Sequence, residues 1–322
     1  MKPYHLLAGA VAVAIVVTAL PEKLSSQWPD YPTSGVPRDE KGKAILDAPT
    51  PKAADGHPDL SGIWTNGGGG GGRGGQAKGG QGKGAPPDGK GGPPPQGKGG
   101  PPPGGGPGGQ GKAGPPPPPV LPPDGIPVAT FANVANGIPP DRLPPLQPWA
   151  LELLNKRKAE NSKDNPDAHC LPLGLTQLHL HPQPRKIIQT PGVVVILYEA
   201  QGGVRQIFTD GRSLPTNDPQ PWWYGYSIGK WEGDTLVVQT TGFRDDVWLD
   251  INGSPLTGTG KLTERFRRPN FGTLEIIVTV EDPKVYTKPF MFRINQRIMP
   301  DTDLIEFICS ENDRSGPHLV GK

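Results

Sequence analysis

Residues 222–250 read WWYGYSIGKWEGDTLVVQTTGFRDDVWLD, and residues 261–286 read KLTERFRRPNFGTLEIIVTVEDPKVY. Aromatic and β-branched residues alternate with polar ones, and Gly or Asp closes each short run. That pattern specifies short antiparallel strands joined by tight turns. Leu274, Ile276, Val278 and Val280 share one face, with Thr273, Glu275 and Thr279 opposite. Glu264 and Arg265 must likewise point to opposite faces, and one of them is expected to pair inside the domain.

Working outward, the same signature recurs from residue 185 to residue 309. Candidate strands are 185–190, 193–199, 204–209, 223–231, 235–241, 262–268, 273–281, 286–297 and 303–309. Thr190-Pro191-Gly192 and Gln201-Gly202-Gly203 are turns, and Glu232-Gly233-Asp234 is a hairpin tip. Near-regular spacing predicts an all-β fold, an antiparallel meander closed into a barrel or stacked as a sandwich. Residues 193–197 (VVVIL) are apolar at every position, so that strand is expected to be covered on both sides. One helix is predicted over 148–161. Pro148 suits its first turn, Trp149, Ala150, Leu153 and Leu154 make its apolar face, and Lys156, Arg157 and Lys158 sit at its C-terminal end.

The 322 residues carry 47 Gly and 44 Pro, with only 33% hydrophobic residues. Most of the excess lies in 67–119, GGGGGGRGGQAKGG through PPPPP, which holds no aromatic and no aliphatic larger than Ala. Such a segment cannot offset the entropy of ordering and reads as a disordered insert. Lys2 precedes an apolar run over 6–20, about the length of a signal-peptide core and short for a membrane span. The organisation expected is a signal peptide or anchor over 1–20, an extended tether over 21–58, a first strand within 59–66, the insert, and the rest of the β domain over 120–322. The chain is therefore expected to be exported, periplasmic or extracellular, touching a membrane only through its N-terminal segment if that is uncleaved.

Cys170 and Cys309 are the two cysteines. In an exported chain an even count permits one disulfide, and two free buried thiols are the alternative. The net charge of +2 gives no case for nucleic acid, although the insert carries Arg73, Lys78, Lys83, Lys90, Lys98 and Lys112 against Asp88 alone. A wall-associated interaction arm is the function that bias would suit.

Candidate chemistry is sparse. His179-Leu180-His181 would put two imidazoles on one strand face, a start for a metal site that lacks further ligands. Asp210, Arg212 and Asp245 are the candidate catalytic groups for a hydrolase or isomerase, within a wider scatter of Asp218, Asp234, Asp246 and Asp250. Turn and capping chemistry is the plainer role for these carboxylates. Trp222, Tyr224 and Tyr226 alternate onto one face, with Trp223, Gly225 and Ser227 on the other. That face either packs a core or stacks a sugar or planar ligand. No phosphate loop, dinucleotide fingerprint or Gly-x-Ser-x-Gly elbow occurs, and no motif calls for a cofactor.

Two resemblances add to this. Gly62-Ile63-Trp64 resembles the entry motif of lipocalin-like barrels, which implies that Trp64 packs across the barrel bottom beneath an Arg from a late strand, with Arg293 and Arg297 the candidates. The segments KDNPDAHCLPLG, FTDGR, GYSIGKWEGDTLVVQTTGF, WLDINGSP, LTERFRRPNFGTLEIIVTVEDPKVYTKPF and FICSEN resemble an uncharacterised family of exported proteins abundant in soil bacteria, notably Acidobacteria. HLHPQPRK at 179–186 and the 67–119 insert depart from that pattern. The resemblance implies compartment and shape rather than a reaction. Together the readings leave an exported barrel that binds a small apolar or aromatic molecule or serves as a scaffold, with the enzyme and the wall-associated arm as alternatives.

Overall fold

The computed structural model describes residues 32–66, 122–129, 133–135, 143–216 and 220–309. The N-terminal segment 1–20, the insert and Asp218 lie outside the described residues.

Among the described residues eleven strands follow in chain order: β1 (Gly62–Asn66), β2 (Arg185–Thr190), β3 (Val193–Tyr198), β4 (Val204–Phe208), β5 (Tyr226–Glu232), β6 (Thr235–Thr241), β7 (Val247–Trp248), β8 (Pro255–Leu256), β9 (Lys261–Asn270), β10 (Thr273–Glu281) and β11 (Phe290–Ile298). Nine of them close a barrel in the order β1-β11-β10-β9-β6-β5-β4-β3-β2, while β7 and β8 form a separate ribbon. A barrel, not a sandwich, is the outcome. Closure leaves no free edge of the kind an open sheet must protect.

The alternation sets the inside. Leu274, Ile276, Val278 and Val280 of β10 are all fully buried, as are Phe292, Ile294 and Gln296 of β11. On β9, Leu262, Glu264, Phe266 and Arg268 point in, and Lys261, Arg265 and Arg267 do not. Outward-facing Arg265 pairs with Glu232 of β5 at 3.1 Å. The Glu232–Asp234 tip takes its positive φ at Gly233 (+60°), as a two-residue hairpin requires.

All contacts in the wall are antiparallel except one. β4 and β5 run parallel and share only two register pairs, Ile207 with Ser227 and Phe208 with Ile228. The loop between them is long, and its last residues start the aromatic stretch.

Helix α1 (Pro148–Ala159) forms where its residues place it, with Lys156, Arg157 and Lys158 in the last turn. Its packing differs from expectation. Ala150 and Leu154 are buried, but Trp149 stays 47% exposed. The Trp149 indole donates to Lys284 O at 2.9 Å, and Arg157 lies over Trp248 at 4.3 Å while donating to Gly253 O at 2.8 Å. The helix thus clasps the β7–β8 excursion. The outward residues of β3, Val193, Val195 and Leu197, are only half-covered, so that strand is not buried on both sides.

Four other expectations are corrected. Residues 303–309 form no strand; they are held by Ile305 N donating to the Glu199 carboxylate (3.1 Å) and Lys186 reaching Asp303 (3.0 Å). The cation over Trp64 is Arg268, at 4.9 Å, not Arg293 or Arg297. On β11 the inward positions are 290, 292, 294 and 296, which sends Arg293 and Arg297 outward, Arg293 to Asp124. His179 and His181 do not share a strand face, because residues 175–180 form a short helix, α2 (Leu175–Leu180). Finally, the described part of the tether is bound to the barrel: Gly272 N donates to Leu46 O (2.7 Å), Phe271 N to Ala48 O (2.8 Å), and His57 stacks on Trp231 at 4.6 Å.

Cys170 and Cys309 are bonded, with Cα atoms 5.5 Å apart. A structural disulfide suggests an oxidising, non-cytosolic compartment. No helix among the described residues is long and apolar enough to cross a membrane.

Candidate functional site

Two constellations bring chemistry-bearing side chains together, one inside the barrel and one outside.

Inside, every residue of α2 is buried, and its His179 points at the inward carboxylate of β9. Glu264 accepts from Arg205 of β4 through both oxygens (3.2 Å to Oε1, with Nη2 on Oε2) and lies 3.1 Å from His179 Nε2. Arg205 also donates to Ser227 Oγ (3.1 Å) and Thr240 Oγ1 (3.0 Å), and those hydroxyls are 2.9 Å apart. Burial alone would raise the Glu264 pKa, but the Arg205 charge and the hydrogen bonds outweigh it and hold it at about 2. Burial pushes the His179 pKa down, beyond what Glu264 restores. A neutral imidazole therefore donates its Nε2–H to a carboxylate. Arg185, fully buried on β2, ties down the end of α2 by donating to the His179 and His181 carbonyls (2.5 and 3.2 Å).

This cluster is sealed. His179, Arg205 and Glu264 are at most 2% exposed, so no substrate reaches them in this conformation. Its atoms His179 Nδ1, Tyr198 Oη, Arg185 Nε and Gln296 Oε1 have no hydrogen-bond partner among the described residues. Groups of that kind are ordinarily satisfied by buried water. Among the described residues no group of three or more His, Cys, Asp or Glu side chains is placed to hold a metal ion. Glu264 is the inward member of the Glu264–Arg265 pair, and its role is that of a buried ion-pair acceptor.

Outside, the aromatic stretch behaves differently from strict alternation. Gly225 sits at φ +65°, and a Cβ there would meet Thr240 Cγ2 at 2.6 Å and Thr241 O at 2.8 Å. The chain turns at this glycine, so Tyr224 and Tyr226 part company. Tyr224 leans over the β4 end of the barrel towards Tyr198, with ring centroids 6.2 Å apart, and burial raises its hydroxyl to about 12. Tyr226 faces out, stacked on Phe208 (5.3 Å, 28°) and tilted against Trp222 (5.6 Å, 59°). Ser227, next along, points in to Arg205. The shared face expected for Trp222, Tyr224 and Tyr226 thus holds for Trp222 and Tyr226 only.

Asp210 and Arg212 join this outer group. The Arg212 guanidinium lies over the Phe208 ring at 3.8 Å, pairs with Asp210 at 2.6 Å, and donates to Tyr226 Oη at 3.2 Å. The Arg212 hydrogen bonds hold the Asp210 carboxyl below its ordinary range, and Arg212 is raised in return. Such a carboxylate is no proton donor near neutral pH. Asp245 does not join them as a catalytic partner would. Its side chain accepts from Gly258 N (2.7 Å) and lines a shallow depression of about 440 Å³ with Gln220, Pro221, Arg244 and Asp246. Arg244 there covers Trp223 at 4.7 Å and pairs with Asp246 at 3.0 Å.

Sequence reasoning missed Phe208 and Arg205. For Arg205 the signal was available: in Val-Arg-Gln-Ile-Phe it shares a face with Ile207, which any barrel reading turns inward.

The packed and the exposed aromatic can be separated by stability. Tyr224→Ala is expected to cost about 3 kcal/mol, as truncation of a packed aromatic does. Trp222→Ala should stay within about 0.5 kcal/mol, as exposed positions do. Urea unfolding of both variants measures the difference, and equal losses would contradict this assignment of faces.

Comparison with known proteins finds no protein family, no curated protein and no solved structure that matches this chain.

Proposed function

We propose that this is an exported barrel protein that binds a small molecule through an aromatic or apolar ring face, on the outer face at Trp222 and Tyr226. The barrel is then a rigid frame and not a ligand bowl. The observation that carries this reading is Trp222, 47% exposed, tilted against Tyr226, which in turn stacks on Phe208 and accepts from Arg212. An exposed indole braced by neighbouring rings offers contact area at little ordering cost. The packed, polar-plugged interior supports the same choice, since α2 fills the space a bowl would need.

The test is a titration with 1-anilinonaphthalene-8-sulfonate, followed by its fluorescence. The wild type is expected to bind, and Trp222→Ala to bind at least about tenfold more weakly, a loss of about 1.4 kcal/mol. Equal binding by both proteins would place the probe elsewhere and remove the reading. The filled interior also favours a second reading, a scaffold without a small ligand. That reading stands if the wild type takes up no probe and native mass spectrometry of protein from its source shows no added mass. An enzyme working through Asp210, Arg212 and Asp245 draws less support, because Asp210 is tied to Arg212 and Asp245 to the Gly258 loop. A wall-associated arm would use residues outside the described ones.

A further inference from the structure

We propose that the ring taken by the outer face is the pyranose ring of a neutral saccharide. The proposal rests on the reading above, that this face binds a ligand, and names the ligand's chemistry.

Three observations carry it. First, the two leading rings are not parallel. Trp222 and Tyr226 touch at 59° with centroids 5.6 Å apart, so they present two apolar surfaces at an angle to one another and not one flat platform. A puckered ring can lay a C–H face on one wall and an edge on the other.

Second, the charged groups at the rings form an ion pair, neutral in sum. The pair beside Tyr226 is Arg212 and Asp210, 43% and 38% exposed. A charge on the ligand gains little from a pair that sums to neutral. A wholly apolar ligand would strip water from both ions and return no hydrogen bond. A hydroxylated, uncharged ring suits both the indole and the ions.

Third, hydrogen-bonding capacity remains. Arg212 engages Nε, Nη1 and Nη2 with Asp210 and Tyr226. A guanidinium carries five N–H donors, so donors are left to meet hydroxyls, and the Asp210 oxygens have lone pairs to spare. The stack on Phe208 fixes the direction of those donors. Directed donors and acceptors without net charge, next to an open indole, are the recognition chemistry of a sugar.

The experiment is isothermal titration of the full chain with cellohexaose, laminarihexaose, mannohexaose and chitohexaose, alongside 1-anilinonaphthalene-8-sulfonate. At least one hexasaccharide is expected to bind. Trp222→Ala should weaken it at least tenfold, and Trp222→Phe should recover part of the loss. Arg212→Met should weaken the saccharide more than it weakens the dye. If the dye binds in a Trp222-dependent way and no hexasaccharide binds, this proposal falls and the ring-ligand reading survives. If neither binds, the reading itself fails. Saccharide binding that is indifferent to Trp222→Ala would overturn the placement.

Discussion

Glu264→Gln is expected to destabilise the barrel by about 3–5 kcal/mol, the cost of leaving a buried charge without its partner. Arg205 is 2% exposed and its only close counter-charge among the described residues is Glu264, so the glutamine leaves a buried guanidinium with neutral acceptors alone. The double change Arg205→Met with Glu264→Leu should recover much of that loss, because it removes both charges and keeps the volume. Urea unfolding of the three proteins measures it. A loss under about 1 kcal/mol for the single change would mean that the pair is solvated, contrary to its burial.

The same cluster sets the acid limit of the fold. His179 is held neutral, its pKa below the ordinary 6.5, so protons favour the unfolded chain once the pH falls below about 6.5. Glu264 is held at about 2 against an ordinary 4.5. Its contribution is complete above 4.5 and is lost as the pH falls from 4.5 towards 2. Stability should therefore decline in two stages on acidification. Glu264→Gln should shrink the lower stage to the share of the exposed, ion-paired aspartates, and a pH series of unfolding curves shows whether it does.

How legible was this in the sequence? The period-2 pattern of β10 identifies its inward face residue by residue, because only the alternation of one strand is needed. The Glu264–Arg265 split is readable for the same reason. Partners are another matter. Arg205 lies 59 positions from Glu264, and no local pattern links them. Arg268 over Trp64 depends on β1 inserting between β2 and β11, a topological fact that strand spacing does not contain. The aromatic face failed at one residue. Gly225 was read as one more strand position, whereas its positive φ turns the chain and sends Tyr224 and Tyr226 apart. His179 was misplaced because six residues, LTQLHL, are too few for a helical period to emerge before Pro182. Residues 303–309 look like a strand by composition, yet the closed wall has no edge left to accept them. A side-chain carboxylate and a disulfide hold them instead.

That disulfide gives the other large effect. Reduction, or Cys170→Ser with Cys309→Ser, is expected to cost on the order of 5 kcal/mol on the chain-entropy account, since the bond closes a loop of 139 residues. The loop contains every barrel strand except β1, so cross-linking restrains almost the whole unfolded domain. In the native protein the bond joins the turn after the 3₁₀ segment Pro166–His169 to the C-terminal stretch. Lys186–Asp303 and Ile305–Glu199 are the other anchors of that stretch, and the first is an exposed ion pair of small worth. Loss of the bond should therefore act twice, by freeing the unfolded chain and by loosening residues 303–309 in the folded one. Thermal unfolding reports the first and hydrogen exchange at Ile305 the second. A variant that keeps its full melting temperature while residues 303–309 exchange freely would show that the bond fixes only the C-terminal stretch. Thiol labelling of both cysteines in the folded, unreduced protein would show that the bond is absent altogether.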